Sequence, residues 1–145
     1  MSGRPLSDLL KAAALRVERL SPERALEEAS SGALVVDIRS CDARRRDGVV
    51  PGSLHVPMTV LHWRLEPGGP WRSPHVVEGQ RVIVLCDHGS SSLLAAALIH
   101  ELGVDAADVE GGFAAWHERG LPVRPCADPP LAHGELQGMR APEPP

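Results

Sequence analysis

Residues 81–92 read Arg81-Val82-Ile83-Val84-Leu85-Cys86-Asp87-His88-Gly89-Ser90-Ser91-Ser92, and helix formers follow from Leu93 to Leu102. Val82 to Leu85 is an unbroken apolar run of strand length. Gly89 and the serines end it, and the Leu/Ala-rich stretch behind them suits a helix. The order is therefore strand, cysteine, short Gly/Ser loop, helix. It sets a thiol over a helix N-terminus, where free backbone N–H groups and the helix dipole favour an anion. A thiolate is such an anion, and a cysteine held this way is a nucleophile. The alternative is a structural cysteine buried at a strand end, since free Cys is among the most buried residue types.

Upstream, Leu6, Leu9, Leu10 and Ala13 mark one face of a short amphipathic helix over residues 6–16. Ser21-Pro22-Glu23 is a helix start: N-cap, proline in the first turn, acid at the positive end. That helix runs through Ala25, Leu26 and Ala29 and stops at Ser31-Gly32. Ala33 to Val36 and Ile38 are apolar without alternation, as expected of a parallel strand covered on both faces. Arg39 to Gly48 is polar, with room for a turn or two of helix. Ser53 to Pro57 is a short strand closed by proline, and Val60 to Leu65 has room for another short helix. Pro67-Gly68-Gly69-Pro70 is a loop.

Downstream, Gly103 fits a helix C-cap. Asp108-Val109-Glu110 is a brief strand, and Gly111-Gly112 opens a helix from Phe113 to Arg119 that Gly120 and Pro122 end. Strands alternating with helices predict an α/β fold with a mainly parallel sheet and helices on both faces. Residues 125–145 are interrupted throughout by proline and read as a disordered or loosely docked tail.

A chain of 145 residues suits one domain, and a 43% apolar content suffices for one core. With one Phe, three Trp and no Tyr, that core is aliphatic. The net charge is −4 and the basic residues are scattered, which argues against a nucleic-acid partner. No apolar run approaches the roughly 18 residues a membrane span needs, and charges interrupt the N-terminus too early for a signal peptide. Cys41, Cys86 and Cys126 are odd in number and widely spaced. They predict neither a disulfide framework nor a zinc site and suit a reducing cytoplasm. The histidines at 55, 62, 75, 100, 117 and 133 show no metal-ligand spacing.

Four stretches, in order, resemble motifs of the rhodanese-like domain. Val35-Val36-Asp37-Ile38-Arg39 is similar to (L/I)-(I/V)-D-x-R. Val50-Pro51-Gly52-Ser53-Leu54-His55-Val56-Pro57 is similar to I-P-G-A-x-x-(I/L)-P. Val82 to Gly89 is similar to (V/I)-x-(V/L)-Y-C-x-x-G. Val109-Glu110-Gly111-Gly112-Phe113-Ala114-Ala115-Trp116 is similar to L-x-G-G-x-x-x-W. The resemblance spans residues 18–124, leaving residues 1–17 as an N-terminal helical extension and residues 125–145 as the tail.

The resemblance implies sulfur transfer with no cofactor. Cys86 would take a sulfane sulfur from a donor, thiosulfate or a persulfide on a small thiol or protein. The Cys86 persulfide would then pass it to cyanide or a thiol. The loop from Cys86 to Ser91 would wrap the sulfur as an anion nest, with Asp87, His88, Gly89, Ser90, Ser91 and Ser92 as substrate-binding residues. This loop departs from the pattern C-x-x-G-x-R-(S/T), because Ser91 stands where the family's arginine does. No loop cation is left for a dianionic donor, and Asp87 is mildly unfavourable to an anion. Phosphatases and arsenate reductases of related fold use a loop one residue longer that ends in arginine. Position 92 is Ser, which leaves phosphoryl transfer without its transition-state cation.

Around this loop several readings stay open. Asp37 is expected to support the structure, and Arg39 either to orient the loop or to sit in a buried ion pair. Arg44 to Arg46 read as a solvated charge run, from which Arg44 alone could reach the pocket. Trp63 and Arg64 are pocket wall or core. His88 as imidazolium would help hold a thiolate; otherwise it is a surface histidine. Cys126 is a resolving thiol or an incidental one. The missing loop arginine also admits a second class of function, a non-catalytic binding or sensing module on the same fold.

Overall fold

The computed structural model describes residues 2–126. The tail lies outside these residues, except for Pro125 and Cys126. Five strands form one parallel sheet: β1 (Glu18–Leu20), β2 (Leu34–Asp37), β3 (Leu54–His55), β4 (Val82–Leu85) and β5 (Ala106–Val109). Their spatial order is β1-β5-β4-β2-β3, so the cysteine-bearing strand is central. Among the described residues there are six α-helices, α1 (Leu6–Ala14), α2 (Pro22–Ser30), α3 (Cys41–Asp47), α4 (Leu61–Leu65), α5 (Ser90–Glu101) and α6 (Gly112–Glu118), with one 3₁₀ turn at Met58–Val60.

The unbroken apolar strands are explained by two core layers. On one face Val36, Val82, Val84 and Ala106 pack with Leu61, Leu65, Leu93, Ala96 and Ile99, beneath α4 and α5. On the other, Val35, Ile83, Leu85, Ala107 and Val109 pack with Ala25, Phe113 and Trp116, beneath α2 and α6. Alternate residues of each strand thus serve opposite layers, and neither face is wet. Among the described residues, no helix is long and apolar enough to cross a membrane.

Three details differ from the expectations. β1 was not anticipated: two of its three residues are charged, and it exists because it pairs with β5 in the register Glu18–Ala107 to Leu20–Val109. The expected apolar face of α1 is only half used. Leu10 and Ala13 pack on the core, while Leu6 and Leu9 stay exposed. Helix α5 begins at Ser90 rather than Leu93, because its start is capped by an atom that no N-cap rule foresees, the sulfur of Cys86. At the other end of the domain, Val49 and Arg124 exchange two backbone hydrogen bonds (2.8 and 2.9 Å), which tie the chain after α6 back to the loop before β3.

Candidate active site

Parallel strands place their C-terminal ends along one edge, where open α/β sheets carry ligands. Asp37 of β2 is in register with Leu85 of β4. Ile38 N–H donates to the Leu85 carbonyl (2.9 Å). The chain leaving β2 therefore runs beside Cys86. Together they border a cleft of about 500 Å³ lined by Ile38, Arg39, Ser40, Met58, Cys86, Asp87, His88, Ser90 and Ser91.

Cys86 is 6% exposed at this cleft. Its Sγ accepts N–H bonds from Gly89 (3.1 Å) and Ser92 (3.2 Å). Gly89 holds φ +99°, the left-handed conformation that turns the chain into α5. The N-cap residue, Gly89, has no side chain to cap that helix, so the sulfur sits where a cap would. Two aimed donors and the helix dipole act together on it.

The loop is held from beneath by α6. Phe113 N–H donates to the Cys86 carbonyl (2.8 Å) and Ala114 N–H to the Asp87 carbonyl (3.0 Å). This close approach explains Gly112, which has φ +63° and where a Cβ would stand 2.6 Å from the Cys86 carbonyl oxygen. Gly112→Ala is therefore expected to cost about 2–4 kcal/mol, through left-handed strain and overpacking. Urea unfolding measures it, and a loss under 1 kcal/mol would mean that helix and loop separate easily.

The structure sorts the sequence candidates. Ser90, Ser91, Asp87 and His88 line the cleft, whereas Gly89 and Ser92 are buried and hold the sulfur through their amides. Asp37 is fully buried. It accepts from the Arg39 backbone N–H (3.0 Å), from Arg39 Nε and Nη2 (3.1 and 2.9 Å) and from Arg44 Nε (3.3 Å). Arg39 also donates to the Gly48 carbonyl (2.8 Å) and lies over the Phe113 ring, 4.0 Å from its centroid. Its buried Nη1 has no hydrogen-bond partner among the described residues.

Arg44 is not part of a solvated run: helical periodicity turns it inward to Asp37 while Arg45 and Arg46 stay exposed. It is not among the residues lining the cleft. Trp63 and Arg64 are not in that wall either; Arg64 is buried and donates to the Trp71 carbonyl (3.1 Å). Met58, which the sequence reading passed over, forms part of the cleft mouth instead.

Arg19 and Asp108 are two further residues that sequence reasoning missed. Arg19 Nε and Nη2 grip the fully buried Asp108 carboxylate bidentately (3.0 and 3.0 Å). Arg19 Nη2 also donates to the Gly89 carbonyl (2.6 Å), and Ser92 Oγ donates to Asp108 Oδ2 (2.8 Å). The Arg19 pKa is raised, first by its hydrogen bond to Asp108. Burial opposes this, and charge attraction from Asp108, Glu110 and Cys86 adds to it. No local pattern flags either residue, because the pair joins positions 89 apart in the chain.

His55 supports the cleft wall by donating from Nε2 to the Arg39 carbonyl (2.8 Å). Burial, and then the charge of Arg44, hold its pKa below the ordinary value of 6.5. The unfolded chain therefore binds this proton more readily than the folded one. The His55 contribution to stability is complete above pH 6.5 and is lost as pH falls below it toward the depressed folded value. Chemical denaturation between pH 7.5 and 5 should show this loss, and His55→Gln should flatten it. An equal slope in both proteins would assign acid sensitivity to other groups. Among the described residues, no group of three His, Cys, Asp or Glu side chains is placed to hold a metal.

A parallel five-stranded sheet with a cysteine loop between β4 and α5 defines a class, and comparison agrees. The model of the rhodanese-like domain matches residues 21–119, and the chain belongs to that family. It is 35% identical over 100 residues to the thiosulfate sulfurtransferase GlpE of Ectopseudomonas mendocina (strain ymp), covering 68% of this chain and 84% of that protein. A rhodanese-related protein from Thermoplasma volcanium aligns with a TM-score of 0.60 at 26% identity, over 74% of this chain and 97% of its own. A protein of unknown function from Rhodopseudomonas palustris CGA009, described as a possible tyrosine phosphatase, aligns with a TM-score of 0.78 at 30% identity, over 86% and 97%.

Proposed function

We propose that this chain is a sulfurtransferase that carries sulfane sulfur as a persulfide on Cys86, within a catalytic unit spanning residues 18–124. One observation carries the reading: a cysteine sulfur at the cleft accepts two backbone N–H bonds at the start of α5. The thiolate attacks the outer sulfur of thiosulfate or of a persulfide. A new S–S bond forms, the donor's S–S bond breaks, and sulfite or the donor thiolate leaves with the electron pair. The Cys86 persulfide is again an anion, held by the same N–H groups. A thiolate or cyanide attacks its terminal sulfur, and Cys86 leaves as the thiolate it began as.

The roles follow from place. Gly89 and Ser92 hold the sulfur. Ser90 and Ser91 offer hydroxyls at the mouth, and His88 offers an imidazole. Arg39 borders the cleft, but its guanidinium is fully enclosed against Asp37 and the Gly48 carbonyl, so it holds the cleft wall rather than meeting the donor. Arg44 acts through Asp37 rather than on the donor. Phosphoryl transfer is not supported: Ser92 occupies the position of the phosphatase arginine, and its hydroxyl is taken by Asp108.

The test is intact mass after incubation with thiosulfate or a low-molecular-weight persulfide, followed by a thiol or cyanide. One added sulfur that maps to the peptide of Cys86 and is discharged by acceptor is the expected result. Ser91 and Asp87 at the cleft favour one other reading, a non-catalytic binding or sensing module. Failure of every donor to add sulfur to Cys86 would select it.

A further inference from the structure

The two residues that hold the sulfur are themselves held by one ion pair. Gly89 donates its N–H to Cys86 Sγ (3.1 Å) while its carbonyl accepts from Arg19 Nη2 (2.6 Å). Ser92 donates its N–H to the same Sγ (3.2 Å) while its hydroxyl donates to Asp108 Oδ2 (2.8 Å). Arg19 and Asp108 close the ring through two bonds of 3.0 Å. Both amide donors of the cradle therefore take their orientation from Arg19–Asp108. The same guanidinium brings a fixed positive charge under a loop that has no arginine of its own.

We propose that Arg19 and Asp108 are positioning residues for Cys86: the pair sets the sulfur cradle, and Arg19 supplies from β1 the cation missing at Ser91. The proposal rests on the sulfurtransferase reading for its purpose, but not for its test. Arg19 touches no reacting atom and acts through Gly89. Its charge favours the anionic thiolate and persulfide over their neutral forms, and draws anionic reagents to the sulfur. Ser92 needs no charge to contribute, since it anchors the amide donor by its hydroxyl alone. The bidentate grip on Asp108 is one that an arginine makes and a lysine does not.

The experiment is alkylation of Cys86 by anionic iodoacetate and by neutral iodoacetamide, with rates followed on the Cys86 peptide by mass so that Cys41 and Cys126 do not contribute. Arg19→Gln should lower the iodoacetate to iodoacetamide rate ratio about three- to tenfold, while Arg19→Lys keeps most of it. Loss of packing alone would slow or speed both reagents together. Ser92→Ala should slow both reagents about two- to fivefold with the ratio unchanged, because it disturbs the cradle and not the charge. An unchanged ratio in folded Arg19→Gln overturns the charge role, and unchanged rates in Ser92→Ala overturn the positioning role. Should Arg19→Gln fail to fold, wild-type rates in Arg19→Lys and Ser92→Ala overturn the positioning role, and a wild-type iodoacetate to iodoacetamide ratio that added salt does not lower overturns the charge role. Alkylation does not require sulfur transfer, so a wild-type protein that takes up no sulfur refutes the sulfurtransferase reading and leaves this test standing.

Discussion

Cys86→Ser should abolish persulfide formation and lower sulfur transfer at least about a thousandfold while leaving the fold in place. A hydroxyl at this position is a far weaker nucleophile than a thiolate, and the amide donors that hold it cannot take its proton. The two N–H groups that meet Sγ can donate to an oxygen instead. The substitution changes little volume, so stability should stay within about 1 kcal/mol of wild type. Intact mass, a donor-to-acceptor assay and thermal unfolding on one preparation separate the outcomes. Sulfur transfer at wild-type rate in a folded Cys86→Ser protein would assign the chemistry to another residue. A collapse of stability would instead make Cys86 mainly a core residue, the alternative that its burial raised from the start.

The second large effect is structural. Asp37→Ala should cost about 3–5 kcal/mol, because it leaves the buried Arg39 guanidinium without its carboxylate and takes a partner from Arg44. Asp37 makes four hydrogen bonds to these two residues and is fully enclosed. Against a typical domain stability of about 5–15 kcal/mol, the loss is large enough to lower the folded population in warm conditions. Asp37→Asn keeps the shape and loses the charge, so it should fall between wild type and Asp37→Ala. Urea titration of the three proteins gives the comparison. A cost below 1 kcal/mol for Asp37→Ala would mean that Arg39 and Arg44 reach water or other acceptors when the carboxylate is gone. Because Arg39 lines the cleft, Asp37→Ala should also weaken binding of an anionic donor in whatever fraction stays folded.

These two predictions draw on different kinds of information. The nucleophile was legible because everything that defines it is local: an apolar run ending at Leu85, a cysteine, Gly89 for a left-handed turn, and helix formers behind it. The same holds for Gly111-Gly112 before Phe113, and for Ser21-Pro22-Glu23 at the start of α2. Unbroken apolar strands were enough to predict a sheet covered on both faces.

What the sequence alone determined is therefore the strand–turn–helix grammar, the aliphatic core and the place of the thiol within it. These follow from backbone propensity and hydrophobic patterning, which act between near neighbours. Only the tertiary structure decided which charges serve the thiol. Arg44 turns inward to Asp37 although it stands in a run of three arginines. Arg19, on a strand too short and too polar to be recognised, meets Asp108 and Gly89 across 89 and 70 residues of chain. Such pairs are set by sheet order and register, here β1 beside β5. Their energy comes from removing both partners from water together, a condition that no spacing in the sequence reports.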